Sequence, residues 1–122
     1  MAEILIIDDD QAVARLLKAT LAPVFSVEHC SDTVSALVLL RAGARFKAIL
    51  CDVHLPDCDG AQSHALIQAI EPAQAGRLLF NTGGISDADL LERIQATGCP
   101  VLYKPYRSEA LIQALKDLLA SD

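Results

Sequence analysis

Apolar residues along this chain follow two rhythms. Short unbroken runs, EILII (3–7), KAILCDV (47–53), RLLFNT (77–82) and PVLYKP (100–105), alternate with longer stretches in which apolar residues recur every three or four positions. The first of these runs, continuously apolar and rich in β-branched residues, predicts a strand buried on both faces, the others predict further strands, and the three-to-four spacing predicts helices with one apolar side. A further strand is expected at FSVEH (25–29), where the pattern has period two.

The first helix is expected over about 10–22, with Val13, Leu16, Leu17 and Leu21 facing inward and Pro23 ending it. TVSALVLLRAG predicts a second helix closed by Gly43, and a third runs over about 61–71, before Pro72. Ser86 and Asp89 have the spacing of a capping box and open a fourth helix that extends to about 96. Ser108 is expected to cap a last helix with Leu111, Leu115, Leu118 and Leu119 on one face. Five strands alternating with five helices imply an α/β architecture, a parallel sheet covered on both faces.

A chain of 122 residues, 52% apolar, suits a single domain spanning residues 1–122. Its longest apolar runs fall well short of the ~20 residues that cross a bilayer, and the N-terminus lacks a signal-peptide pattern, so a cytoplasmic protein without membrane contact is expected. Net charge −6 argues against direct nucleic-acid binding, which favours a clustered basic face. The four cysteines show no C-x-x-C and no zinc spacing, and read as ordinary thiols.

In open sheets of this kind the ligand crevice lies outside the carboxyl ends of the strands. Those ends carry Asp8 and Asp9 after the first strand, Asp52 after the third, Thr82 after the fourth and Lys104 after the fifth. Three carboxylates, a hydroxyl and an ammonium should therefore meet at one edge. Carboxylates ~4 Å apart near a surface repel by about 4 kcal/mol at an effective dielectric of 20, so a cation is expected among them. Magnesium takes oxygen ligands and is typically held by one or two carboxylates plus a phosphate. Asp52, alone at the end of an apolar strand, is the candidate nucleophile toward phosphorus. Asp8 and Asp9 are better placed as metal ligands, and Lys104 can reach a phosphate or pair with Asp52.

Taken together, ILIIDDD, AILCDVHLPDCDG, LLFNTGG and VLYKP resemble the receiver domains of two-component signalling, in order and spacing, from about residue 3 to 119. The resemblance implies a flavodoxin-like doubly wound (βα)5 sandwich with strand order 2-1-3-4-5. It implies phosphotransfer from a sensor histidine kinase or a histidine phosphotransfer protein to Asp52. Magnesium, or manganese, would be bound by Asp9, Asp52 and the backbone carbonyl of His54, with Asp8 acting mainly through water. Thr82 would swing toward the phosphoryl group, Gly83 and Gly84 would leave that group accessible, and the Lys104–Pro105 bond would be cis.

The changed surface for a downstream protein would be the fourth helix, fifth strand and fifth helix, the α4-β5-α5 face in this count. Chemotaxis-type receivers place Tyr or Phe three residues before the lysine, where this chain has Val101. The segment GCPVLYKPY resembles receivers attached to hybrid histidine kinases. Such a domain is not an enzyme beyond its own phosphorylation and dephosphorylation.

Other readings of the same residues are weaker. Asp8-x-Asp10 imitates the nucleophile motif of magnesium phosphatases of the haloacid dehalogenase type, but only one helix follows Pro105, leaving no further acidic pair or cap. Asp10 reads as a helix N-cap, and Asp57 and Asp59 read as loop formers. His29, His54 and His64 have no mutual metal spacing, and Tyr103 and Tyr106 read as packing residues.

Overall fold

The computed structural model describes residues 2–120, so the expected domain limits at 1 and 122 lie outside the described residues. The elements run β1 (Ile4–Ile7), α1 (Gln11–Leu21), β2 (Val27–Cys30), α2 (Thr33–Arg41), β3 (Ala48–Asp52), α3 (Gly60–Ile70), α4 (Pro72–Ala75), β4 (Leu78–Thr82), α5 (Ala88–Ala96), β5 (Val101–Tyr103) and α6 (Ser108–Ala120). All strand pairs are parallel, in the order β2-β1-β3-β4-β5. This is the expected flavodoxin-like order.

The period of two along each strand divides the core between two layers. Leu5, Ile7, Ile49, Cys51 and Phe80 point toward α2, α3 and α5, whereas Ile4, Ile6, Leu50 and Leu79 point toward α1 and α6. Ile4 through Ile7 are wholly buried, which is why β1 shows no polar alternation. Each such side chain contributes about 1.5–3 kcal/mol on burial. On α1 the inward side is narrower than expected: Leu17 and Leu21 are buried but Leu16 is 68% exposed. Among the described residues no helix is long and apolar enough to cross a membrane.

Several boundaries differ from the sequence pattern for local reasons. The second strand begins at Val27 rather than at residue 25, because the Phe25 N–H donates to the Leu21 carbonyl and closes the turn after α1. A sixth helix, the single turn α4, follows α3 directly. Pro72 opens it as a first-turn proline, where its missing N–H costs nothing. Gln74 in that turn is buried and exchanges two hydrogen bonds with the Phe46 backbone, at 2.8 and 2.9 Å.

Helix starts and stops rest on named caps. Asp10 accepts from the Ala12 and Val13 N–H groups, as expected. Gly43, at φ +101°, ends α2 with Gly43 N–H to Leu40 and Ala44 N–H to Leu39, the pairing a left-handed residue permits. The expected Ser86–Asp89 box does not form. Asp87 is the N-cap of α5, accepting from Asp89 and Leu90 N–H, and Asp89 turns its carboxylate to Arg93 instead. Ser108 is the first residue of α6 rather than its cap, and the Arg107 carbonyl starts that hydrogen-bond ladder.

Candidate functional site

Parallel register brings the polar strand ends to one edge. Ile7 lies beside Cys51 and Asp52 beside Asn81, so Asp8, one residue past β1, stands next to Asp52. The Lys104 N–H donates to the Thr82 carbonyl at 2.7 Å, which sets the lysine one residue past the Thr82–Tyr103 pair at the same edge. The peptide bond between Lys104 and Pro105 is cis.

One carboxylate oxygen from each of Asp8, Asp9 and Asp52 falls within 4.8 Å of the others. Asp8 is buried, Asp52 half-buried and Asp9 exposed, so the cluster reaches from the interior to solvent. Asp8 Oδ1 accepts from the Asp10 N–H at 2.9 Å, whereas its Oδ2 is buried without any hydrogen-bond partner. A buried acceptor left unpaired costs about 1–3 kcal/mol, more when it is charged. An all-oxygen donor set with one inward oxygen uncommitted fits a hard divalent cation. His54 stands in the loop after β3, its N–H donating to Asp52 Oδ1 at 3.2 Å.

Burial pushes the Asp8 carboxyl above its ordinary pKa; the Asp10 N–H and the Lys104 charge oppose that rise, and Asp9 and Asp10 add to it. Burial also raises Asp52. The His54 N–H and Lys104 partly offset this, and the neighbouring Asp8 and Asp9 charges reinforce it. Among the described residues no ion pair joins Lys104 to Asp52, so its charge acts across the pocket.

Thr82 is wholly buried, and its hydroxyl is committed to its own loop: Oγ1 donates to the Gly84 carbonyl at 3.1 Å and accepts from the Gly84 N–H at 3.2 Å. Gly83 and Gly84 are exposed and together with His54, Ile85 and Ser86 line a cleft beside the acidic cluster. Gly84 has φ +150°, a conformation that disfavours every other residue. Val101 is half-buried against the α2–α3–α5 layer. Tyr106 packs into the α1–α6 layer and burial raises its hydroxyl to about 12, whereas Tyr103 is 50% exposed and does not act as a core residue. All four cysteines are free.

The loop formers do more than turn the chain. Asp57 accepts from the Thr33 and Val34 N–H groups and so adds a cap to α2, whose own cap is Asp32. Asp59 caps α3 in a reciprocal box with Gln62, and it also receives Arg93 from α5. The Asp59-x-x-Gln62 spacing was a visible signal for the box. Nothing in the sequence marked Arg93.

Residues 4–116 match the family model of the response regulator receiver domain. The chain belongs to that family. It is 29% identical over 111 residues to the two-component response regulator ORR21 of Oryza sativa subsp. japonica, covering 89% of this chain and 16% of the relative. It is 29% identical over 119 residues to the transcriptional regulatory protein GlrR of Escherichia coli strain K12, covering 97% of this chain and 26% of that protein. This receiver thus spans about a sixth to a quarter of these relatives.

Among solved structures, the receiver domain of a signal transduction histidine kinase from Syntrophus aciditrophicus superposes with a TM-score of 0.85 at 26% identity, covering 99% of this chain and 92% of that one. The chemotaxis response regulator CheY4 of Vibrio cholerae gives 0.81 at 25% identity, covering 98% and 99%. Two-component signalling is therefore the setting of this receiver.

Proposed function

We propose that this receiver accepts a phosphoryl group on Asp52 from the phosphohistidine of a sensor histidine kinase or a histidine phosphotransfer protein, in the cytoplasm. The observation that carries the reading is the convergence of Asp8, Asp9 and Asp52 within 4.8 Å at the carboxyl edge of the sheet, with one Asp8 oxygen buried and unpaired. Asp8, Asp9, Asp52 and the His54 carbonyl would hold Mg2+ or Mn2+, which when bound neutralises phosphoryl oxygens during transfer. An Asp52 oxygen forms the new bond to phosphorus as the P–N bond of the phosphohistidine breaks and its electron pair returns to the imidazole, which takes up a proton. Lys104 offsets charge on the phosphoryl oxygens, and the Thr82 hydroxyl donates to one of them after leaving Gly84.

Phosphorylation replaces the Asp52 carboxylate charge with a phosphoryl group carrying about −1.5 to −2 and three acceptor oxygens, and so biases a two-state element. The responding face is α5-β5-α6, the α4-β5-α5 face of the five-helix count, since the extra turn α4 shifts the numbering by one. A protein partner, rather than nucleic acid, reads that face. Beyond its own phosphorylation and dephosphorylation the domain catalyses nothing.

The test is intact-mass measurement after incubation with Mg2+ and a small acyl phosphate. One labile phosphoryl adduct is expected, absent in Asp52→Asn and in chelator. Steady donor hydrolysis that depends on Asp8 but not on Asp52 would overturn the reading, as would the absence of any adduct.

A further inference from the structure

The loop that follows Asp52 grips the segment that follows Thr82 at two points. His54 and Asp59, at the two ends of that loop, pair as an isolated antiparallel bridge, and the Gly60 N–H closes it onto the Val53 carbonyl at 2.7 Å. From one end His54 Nε2 lies 3.3 Å from the Gly84 carbonyl. From the other, Arg93 Nη1 of α5 donates to both Asp59 oxygens at 3.4 and 3.2 Å while its Nε holds Asp89 at 3.0 Å.

Between the prongs the contact is tight. A Cβ on Gly60 would sit 3.0 Å from Phe80 Cε1, 3.1 Å from Val53 Cα and 3.2 Å from Ile94 Cδ1, so α3 meets α5 with no room for a side chain. The pair Asp59–Gly60 is thereby seated on the pair Arg93–Ile94.

We infer that this double clip, above all the Asp59–Arg93 pair, is a brake on the Thr82 hydroxyl. The inference rests on the reading of Asp52 as a phosphoryl acceptor. For Thr82 to reach a group on Asp52 its hydroxyl must give up the Gly84 carbonyl and N–H, the two bonds that tie it to the 83–87 segment. That stretch leads into α5 at Ala88, so a helix pinned by Arg93 holds the loop in the arrangement that keeps the hydroxyl away. Arg93 and Asp59 are positioning residues here, acting on the site through the 83–87 loop. Both side chains are partly exposed, so the pair sets the equilibrium by a few-fold rather than locking it.

Asp59→Asn tests the pair cleanly, because asparagine caps a helix about as well as aspartate while losing the charge. Arg93→Ala removes the other half. Each variant should raise the rate of phosphorylation by a small acyl phosphate, and the affinity for beryllofluoride with Mg2+, by about two- to fivefold. The Arg93→Ala/Asp59→Asn double variant should gain no more than either single change.

In the metal-free protein, the Gly84 and Ile85 amide resonances should move in both single variants, while a substitution at exposed Glu92 leaves them in place. Unchanged rates and resonances in folded variants, or additive gains, would overturn the brake. If wild-type protein takes neither phosphoryl nor beryllofluoride, the acceptor reading of Asp52 fails, and the amide resonances still decide whether Arg93 holds the loop.

Discussion

The Thr82 side chain and the Gly84 backbone satisfy each other, hydroxyl to carbonyl at 3.1 Å and N–H to hydroxyl at 3.2 Å, so this strand-end hydroxyl points along its own loop. Replacing Thr82 with Ala frees the Gly84 N–H and leaves the Gly84 carbonyl beside His54 Nε2, on an exposed residue that water reaches, so the fold should persist. What is lost is a donor to a charged phosphoryl oxygen, worth about 1.5–3 kcal/mol. Phosphorylation by a small donor, followed by intact mass, should slow by about ten- to a hundredfold while Mg2+ affinity is retained.

Asp8 and Asp52 are both raised by burial, so the folded chain holds their protons more tightly than the unfolded chain does. For an acid the sign follows: their contribution to stability is greatest below the unfolded carboxylate pKa and is lost as pH rises through the folded values. Urea unfolding of metal-free protein should show this decline above the ordinary carboxylate range, and Asp8→Asn should flatten it. Saturating Mg2+ should flatten it as well, by binding the native form.

Gln74 supplies a donor and an acceptor to the Phe46 backbone inside the protein. Gln74→Ala leaves both groups buried and unpaired, each costing about 1–3 kcal/mol. The urea midpoint should fall accordingly with little change in Mg2+ affinity, because α4 lies away from the acidic cluster.

Asp57 ties the loop after β3 to the first turn of α2. Asp57→Ala should destabilise by about 1 kcal/mol, the usual cost of a lost cap, read from thermal unfolding. Cys58, whose thiol lies 3.2 Å from Thr33 Oγ1 and 3.3 Å from Ser63 Oγ, should become more reactive toward a thiol reagent as that corner loosens.

The central strands β1, β3 and β4 are legible because burial on both faces keeps their bodies apolar, and the acidic and hydroxyl residues at their ends stand out for the same reason. Where the pattern failed, geometry outside the local sequence decided. Phe25 continues the period of β2 in the sequence yet belongs to the turn after α1. Ser86 has the spacing of a cap, but the carboxylate of the next residue, Asp87, took the position. Pro72 reads as a stop, and only the meeting of Gln74 with Phe46, far apart in sequence, shows why one more turn forms. Asp57 and Asp59 read as turn residues because their partners, Thr33 and Arg93, lie on other helices.

One backbone angle has a lasting consequence for the cleft beside Asp52. At Gly84 a side chain is barred by the dihedral angle, since nothing within 4 Å would obstruct a Cβ there. The doorway is kept bare by torsion rather than by crowding, so this position cannot grow a roof over the acid. Any cover that shields Asp52 from solvent must be brought by another residue or by the molecule that docks.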